Sequence, residues 1–171
     1  MRVKTIFFCV IVLVFCTELN VYAEGNHRLG TGLHYWYALE DIDKDNVDDK
    51  GYALQFSYQY VTTSLLKIEA DLDVLQEGYA GSDSTVFSPQ AFLLLGKTVY
   101  AGAGVGINYS DGSFAESPFF ALRAGFELEI LPALYVDINA NYRFETWDFD
   151  AIKEDIDTDT VTLGAQVRME F

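Results

Sequence analysis

Hydrophobic and polar residues alternate with a period of two in eight separate stretches of this chain. In residues 99–109, Val, Ala, Ile and Tyr side chains occupy every second position, and glycines fill most of the positions between them. A helix would repeat its apolar positions every three or four residues, so each stretch predicts a β-strand with one apolar face. The predicted strands cover approximately residues 29–39, 52–60, 66–74, 87–95, 99–109, 120–129, 134–145 and 161–171.

The fourth of these stretches is the least regular. It contains Pro89 and the unbroken apolar run Phe92–Leu95, so the pattern does not decide which of its side chains share a face. The direction in which the side chains of this strand point is left open at this stage.

The connections between the predicted strands alternate in length. Tight turns are expected near residues 61–64, 96–98 and 130–133, and longer polar connections near residues 40–50, 76–86, 110–118 and 146–160. An even number of strands joined in this way predicts an antiparallel up-and-down meander that closes into a barrel.

The volume of the interior decides which face of the barrel points outward. The apolar face carries twelve aromatic residues, which would overfill an eight-stranded barrel, whose interior is just wide enough for side chains. The opposite face is rich in glycine and fits a narrow interior. Strands of about 9–11 residues also match a tilted bilayer crossing. The fold class predicted is therefore all-β: an eight-stranded transmembrane β-barrel with its apolar face toward lipid.

Residues 1–23 have the pattern of a secretory signal peptide. Arg2 and Lys4 precede an apolar run of eleven residues, which is too short to span a bilayer, and cleavage is expected after Ala23. A membrane anchor is disfavoured by the shortness of the run. A lipoprotein site at Cys16 is disfavoured because the bulky Phe15 precedes it. Residues 24–171 would then form one barrel domain that lacks cysteine, as suits an exported protein.

Charge and composition exclude two broad classes of function. The chain has 171 residues, 26 acidic and 11 basic, for a formal net charge of −15. Such an acidic chain is unsuited to binding nucleic acid, which requires a basic surface. Intrinsic disorder is also excluded, because half of the residues are hydrophobic and 15% are aromatic.

Taken together, the signal segment, the eight alternating strands and the last strand, VTLGAQVRMEF, resemble small outer-membrane β-barrel proteins of the OmpA/OmpX-like class. The resemblance covers essentially the whole of residues 24–171. It implies location in the outer membrane, with both termini in the periplasm and the long connections outside. It also implies that the barrel assembly machinery recognises the last strand, which ends at Phe171. The class includes adhesins, structural proteins and a few lipid-modifying enzymes, so the resemblance does not choose a function.

Charged residues at the inward positions predict an ion-pair network in the lumen, because an unpaired buried charge costs several kcal/mol. A conducting pore is the less favoured alternative, since aqueous channels are a property of barrels with about 16 or more strands. The cations of the predicted network are Lys67, Arg123, Arg143 and Arg168; the acids are Glu69, Asp71, Asp73, Glu127, Glu129, Asp137, Glu145 and Glu170.

Four acids in the first long connection have the spacing of a calcium-binding loop. Asp41, Asp43, Asp45 and Asp49 stand at positions 1, 3, 5 and 9 of that pattern, and alternate acids can converge on a hard cation. The usual glycine and the bidentate glutamate are missing. A solvated acidic loop is therefore the preferred interpretation, and binding of Ca²⁺ or Mg²⁺ is a hypothesis only. A shorter series of three aspartates lies in the last long connection, at residues 155, 157 and 159.

Catalysis has little support in the sequence. His34 has no serine at near spacing and is expected to be packed and hydrogen-bonded inside the barrel. No catalytic, cofactor-binding or metal-binding residue is assigned, no cofactor is expected, and the chain is predicted not to be an enzyme. Trp36 and Tyr100 are expected to fill the lumen beside glycines, and Trp147 to anchor at the membrane interface.

The predicted function is therefore that of a non-enzymatic outer-membrane barrel with a structural or surface-interaction role through four long acidic extracellular loops. The alternatives are a lipid-modifying barrel enzyme and a narrow channel or conduit for small hydrophobic molecules. Expected partners are outer-membrane lipid, lipopolysaccharide and the barrel assembly machinery, with no nucleic acid, and the protein is expected to be a monomer.

Overall fold

The computed structural model describes residues 26–39, 48–147, 156–157 and 159–171, and it contains eight long antiparallel strands. Each strand follows from the two-residue alternation of its sequence. The strands are β1 (Asn26–Ala38), β2 (Lys50–Val61), β3 (Leu66–Leu75), β4 (Val86–Gly96), β5 (Val99–Gly106), β6 (Phe119–Leu131), β7 (Leu134–Phe144) and β8 (Thr160–Glu170). Within the described residues, no helix is long and apolar enough to cross a membrane.

The eight strands form one closed sheet. Each strand pairs with its neighbours along the chain, and β1 pairs with β8 to close the cylinder, with Thr31 opposite Val167. Closure leaves none of these eight strands with an unpaired edge. Unpaired backbone N–H and C=O groups would be costly in the hydrocarbon interior of a bilayer, which offers no hydrogen-bond partners. The predicted eight-stranded up-and-down barrel is confirmed.

Short and long connections lie at opposite ends of the barrel. The end with the short turns, residues 62–65, 97–98 and 132–133, is called the inner mouth below; the end with the long connections is called the outer mouth. At the outer mouth, Tyr109–Ser110 pairs with Ser113–Phe114, and Thr146–Trp147 pairs with Ile156–Asp157, as two small hairpins. The alternation predicted from the sequence is confirmed.

The outer wall of the barrel is apolar from one mouth to the other. Val99 is 71% exposed, Phe120 65% and Ile138 60%, although all three lie in regular, hydrogen-bonded strands. Exposed apolar surface of this extent faces lipid, because soluble proteins rarely expose so much contiguous apolar surface to water. The predicted direction of the apolar face is therefore correct.

The facing of β4, which the sequence left open, is set by its neighbours. Ala91 lies opposite Ala70 of β3 and Val105 of β5, and these pairs place it on the outer wall. The alternation then turns Phe92 and Leu94 inward, where both are buried. Two large apolar side chains therefore occupy part of the lumen beside the charged groups.

Glycines on the inner face make room for the large side chains of the lumen. A methyl group added at Gly164 would lie 2.0 Å from Cδ2 of His34, and one added at Gly125 would lie 2.4 Å from the ring of Tyr100. The predicted placement of Trp36 is also confirmed, since its indole lies against Gly51 and is 1% exposed.

Candidate functional site

The inner face of the barrel is the candidate functional site, because it collects nearly all of the buried charged side chains. Strand alternation turns these side chains inward from five of the eight strands. The barrel then brings together, across the lumen, residues that lie far apart in the sequence.

At the inner mouth, three cations converge on one carboxylate. Glu127 Oε1 accepts hydrogen bonds from Arg28 Nη1 at 2.7 Å and from Lys67 Nζ at 2.6 Å, and Oε2 accepts one from Arg168 Nη1 at 2.6 Å. Arg28 also pairs with Glu170 at 2.8 Å. The guanidinium of Arg28 stacks over the ring of Tyr135, at 3.7 Å from its centroid.

In the next layer, Arg168 and Arg123 share Glu69. Arg168 Nη2 donates to Glu69 Oε2 at 2.7 Å, and Arg168 Nη1 lies 3.0 Å from Asp137 Oδ2. Arg123 pairs with the other oxygen of Glu69 and, at 2.6 Å, with Asp71. Each guanidinium therefore bridges two or more carboxylates. Arg168 does so with both terminal nitrogens of its fork of donors, and Arg123 with Nη1.

Nearer the outer mouth, Asp73 joins Arg143 and His34. Arg143 Nη2 pairs with Asp73 Oδ2, and His34 Nδ1 lies 3.1 Å from the same oxygen. Gln90 Nε2 donates to this carboxylate at 3.1 Å. His34 is completely buried and hydrogen-bonded, as predicted.

An apolar cap covers the charged layers at the outer mouth. It is built by Trp36, Ala38, Ala53, Leu75, Tyr79, Ala80, Val86 and Ala115, all of them buried. Tyr79 lies on a short 3₁₀ turn, Tyr79–Gly81, between β3 and β4, and its ring meets the indole of Trp36 edge-on at 4.8 Å. The turn requires positive φ at Gly78, Ala80 and Gly81, which directs the tyrosine inward.

The hydroxyl of Tyr79 ties this cap to the charged network. It donates to Glu145 and accepts a hydrogen bond from Arg143 Nη1 at 3.3 Å. Burial and the adjacent Glu145 carboxylate raise the pKa of the Tyr79 phenol well above its ordinary value, while Arg143 opposes that shift. The phenol therefore stays protonated and acts as a hydrogen-bond donor throughout the neutral range.

The described lumen is thus filled by paired charges and closed on the outside by packed apolar groups. Its five buried cations, Arg28, Lys67, Arg123, Arg143 and Arg168, each pair with at least one carboxylate. Such an arrangement can stiffen the barrel and block the passage of solutes. The buried His34 ring is held by Asp73 within this network.

The predicted ion-pair network is largely present, with two differences. Glu129 is exposed at the inner mouth, near the end of β6, where its carboxylate accepts a hydrogen bond from the Ala133 amide at 3.2 Å. Arg28 belongs to the network although it is not among the predicted cations. The alternation of β1, extended two residues before Gly30, was a signal that could have identified it.

Tyr79 was also missed as a lumen residue, because it lies in a connection where no periodicity applies.

Of the proposed calcium ligands, Asp41, Asp43 and Asp45 lie outside the described residues, as does Asp155. Only the backbone of Trp147 and Asp157 is described. Within the described part of the chain, no group of three or more His, Cys, Asp or Glu side chains is placed to hold a metal ion.

Comparisons with known proteins identify the fold. No protein-family model and no curated protein matches the chain. Among solved structures, Neisserial surface protein A is 19% identical, with a TM-score of 0.64, over 86% of this chain and 100% of that one. Ail, the attachment invasion locus protein of Yersinia pestis, is 17% identical in its complex with the heparin analogue sucrose octasulfate, with a TM-score of 0.51, over 86% and 99% of the two chains.

The outer membrane protein OprG of Pseudomonas aeruginosa is also similar, at 14% identity and a TM-score of 0.51, over 86% of this chain and 96% of that one. Identities this low establish the fold and nothing finer. The chain has the fold of small eight-stranded outer-membrane barrels, as the sequence resemblance implied. The shared fold and the lipid-facing wall both indicate that the protein is located in the outer membrane.

Proposed function

We propose that this chain is a non-enzymatic outer-membrane barrel with a closed lumen, which contributes to the structure of the membrane and interacts with partners through its outer connections. The observation that carries the proposal is the lumen itself, in which paired charges lie beneath the cap of Trp36 and Tyr79. A barrel filled in this way provides a rigid scaffold for surface loops rather than a passage.

Opening the lumen would require the separation of several buried ion pairs. Removing one partner of a buried pair costs about 3–5 kcal/mol, which is several times the thermal energy. Arg168 bridges Glu69, Glu127 and Asp137, so its displacement would remove the paired cation of Asp137 and one of the cations that hold Glu69 and Glu127. This cost argues against a conducting channel.

The outer connections supply the surface for interaction. Residues 39–49, 76–85, 107–118 and 145–159 contain seventeen of the 26 acidic residues and only two lysines. The first and second connections are joined by a hydrogen bond from the Asp48 amide to the Gly78 carbonyl at 3.1 Å. Ail was solved with a heparin analogue, a strongly anionic ligand. The acidic connections of this chain favour the opposite choice, a basic partner surface.

Contact with lipid and recognition of the terminal strand belong to the same proposal. Met169 is 59% exposed and Phe171 is 66% exposed, on the lipid-facing wall. The Phe171 amide donates to the His27 carbonyl at 2.9 Å, which holds the end of the chain against β1. The exposed side chains support contact with outer-membrane lipid and lipopolysaccharide. The proposal includes a monomeric barrel whose assembly is directed by the strand that ends at Phe171.

Recordings in planar bilayers test the closed lumen. The wild-type barrel should show no steady single-channel current, whereas a variant that combines Tyr79→Ala with Arg168→Ala should show transient currents. Large, stable open currents through the wild-type barrel would overturn the proposal.

Mass spectrometry of lipids from expressing cells tests the non-enzymatic role. A change in acyl chains or headgroups that depends on His34 would contradict that role.

The surface-interaction role needs a separate measurement. Cells expressing the wild-type barrel should bind a surface coated with a basic polypeptide more strongly than cells expressing a variant with Asp48, Asp49 and Asp83 changed to Asn. The control is Glu129→Gln, which neutralises an exposed acid at the inner mouth instead of the outer one. Equal binding by all three strains would refute the role of the outer acids.

A further inference from the structure

Four aromatic side chains form a patch at the inner end of the lipid-facing wall, called the inner aromatic patch below. They are His27 of β1, Tyr58 and Tyr60 of β2, and Phe171, which follows β8. Strand alternation turns them outward, because their neighbours Arg28 and Gln59 are buried in the lumen. His27 lies opposite Tyr60 in the register of β1 and β2, and its carbonyl accepts the Phe171 amide at 2.9 Å. The patch therefore spans the seam at which the barrel closes.

The imidazole of His27 is the centre of the patch. Its ring stacks at a centroid distance of 5.1 Å from Tyr60 and 5.9 Å from both Tyr58 and Phe171. His27 Nδ1 lies 2.7 Å from the Tyr58 hydroxyl. A phenol is a good donor and an unprotonated ring nitrogen is a good acceptor, so this hydrogen bond leaves the ring proton on Nε2. The first donor of the patch is therefore His27 Nε2–H.

The hydroxyl of Tyr60 is the second donor. Within the part of the chain that the structure describes, neither His27 Nε2 nor the Tyr60 hydroxyl has a hydrogen-bond partner, and both side chains are half-buried. Glu170, the acidic neighbour of Phe171, points inward and pairs with Arg28 at 2.8 Å. Two donors with no free carboxylate beside them favour an acceptor, and an anionic acceptor gives the stronger hydrogen bonds.

The position of the patch identifies this acceptor. Leu29 and Met169, which are 53% and 59% exposed, continue the lipid-facing wall from the patch toward the bilayer interior. Aromatic residues with a polar tip at the end of such a wall lie at the level of the lipid headgroups. The anion available to the two donors at that depth is the phosphate of a phospholipid.

From this arrangement we infer that the inner aromatic patch binds the phosphate of a bilayer phospholipid. His27 Nε2–H and the Tyr60 hydroxyl donate to its oxygens, and the acyl chains lie along Leu29 and Met169. The inference rests on the lipid contact proposed above and names the lipid group that is recognised. A charge-assisted N–H···O bond of ordinary length places phosphorus about 4 Å from Nε2.

Solid-state NMR on the full barrel in bilayers tests the inference. The barrel carries ¹⁵N-labelled histidine, the host lipid is a phosphate-free galactolipid, and phosphatidylethanolamine is titrated into it. The His27 Nε2 signal should lose intensity through dipolar coupling to ³¹P at about 4 Å. His34, the second histidine of the chain, is completely buried in the lumen and serves as the internal control, so its signals should be unaffected.

Two tyrosine variants provide the matched comparison. Tyr60→Phe keeps the ring and removes one donor, so the mole fraction of phosphatidylethanolamine that gives half of the effect at His27 should rise about two- to tenfold. Tyr52→Phe makes the same change at the outer end of β2, where Tyr52 is 59% exposed, and should leave that mole fraction unchanged. The inference fails if His27 responds no more than His34 or if the two variants respond equally. It also fails if millimolar inorganic phosphate gives the same response in the galactolipid host, because the site would then bind a free anion.

The methyl signal of Met169 separates this inference from the lipid contact on which it rests. Met169 should receive magnetisation from the acyl chains whether or not phosphate binds, because it lies on the exposed wall. Transfer to Met169 without an effect at His27 would refute the phosphate site alone. The absence of both signals would refute the lipid contact as well.

Discussion

Neutralising Glu127 should destabilise the barrel more than any single change at its exposed rim. Glu127 is 5% exposed and accepts hydrogen bonds from Arg28, Lys67 and Arg168. A Glu127→Gln variant keeps the shape of the side chain but removes the negative charge on which three cations converge. The removal of one partner from a buried ion pair costs about 3–5 kcal/mol. Arg28 and Arg168 keep other carboxylates, so the lower half of that range, about 3–4 kcal/mol, is expected.

The free energy of unfolding is measured by urea titration of the barrel in detergent micelles or lipid vesicles, with gel mobility before and after heating as an independent readout. Glu129→Gln is the matched control, because it makes the same chemical change two residues away at an exposed position. It should alter stability by no more than about 0.5 kcal/mol.

A second substitution separates charge imbalance from loss of packing. Lys67→Met in the Glu127→Gln background removes one of the stranded cations, so the double variant should recover part of the lost stability. If Glu127→Gln unfolds at the wild-type urea concentration, the network contributes little to stability. If the double variant is destabilised by the sum of the two single changes, the charges act independently. Either result would refute the reasoning.

Three further predictions concern other parts of the barrel. Leu33 lies on the lipid-facing wall beside Leu54 and Ala165, so Leu33→Arg should lower the free energy of unfolding by about 2–4 kcal/mol if the residue is near the bilayer midplane. Leu39→Arg, just beyond the outer end of β1, should lower it by only about 0–1 kcal/mol. Equal losses for the two variants, measured by unfolding in vesicles, would contradict this position in the membrane. Gly164→Ala should destabilise the barrel by about 1–3 kcal/mol, because the new methyl would lie 2.0 Å from His34, and His34→Ala should relieve that loss when the two changes are combined; failure of the rescue would locate the strain elsewhere. Because the pKa of Tyr79 is raised in the folded barrel, its protonated form contributes stability that is complete below pH 10.0, the usual phenol pKa, and is lost as the pH rises toward the folded-state value. In urea titrations between about pH 9 and 11, Tyr79→Phe should therefore reduce the alkaline loss of unfolding free energy. If the unfolding free energy of the variant falls with pH as steeply as that of the wild type, other groups cause the loss.

Much of this molecule follows from local information in the chain. The side-chain period of a strand is two, so the alternation around Val99–Gly106 and Leu134–Phe144 is sufficient to identify strands and the two faces of each. The direction of the apolar face follows from volume, because the interior of an eight-stranded barrel cannot hold the aromatic residues of that face. These properties need no knowledge of which strand lies beside which.

The composition of the site required the closed barrel. The facing of β4 depends on its register with β3 and β5, since its own sequence carries apolar residues on both faces. Tyr79 enters the lumen through a turn with positive φ angles, which no hydrophobic period signals.

The partners of each charge depend on long-range geometry for the same reason. Glu127 meets Arg28 across 99 positions of the chain, and Arg168 meets Glu69 across the same separation. The sequence alone determined that inward charges must pair, because a lone buried charge is too costly. Only the closed barrel decided which charges meet, because closure through β1 and β8 sets where side chains from distant strands lie across the lumen.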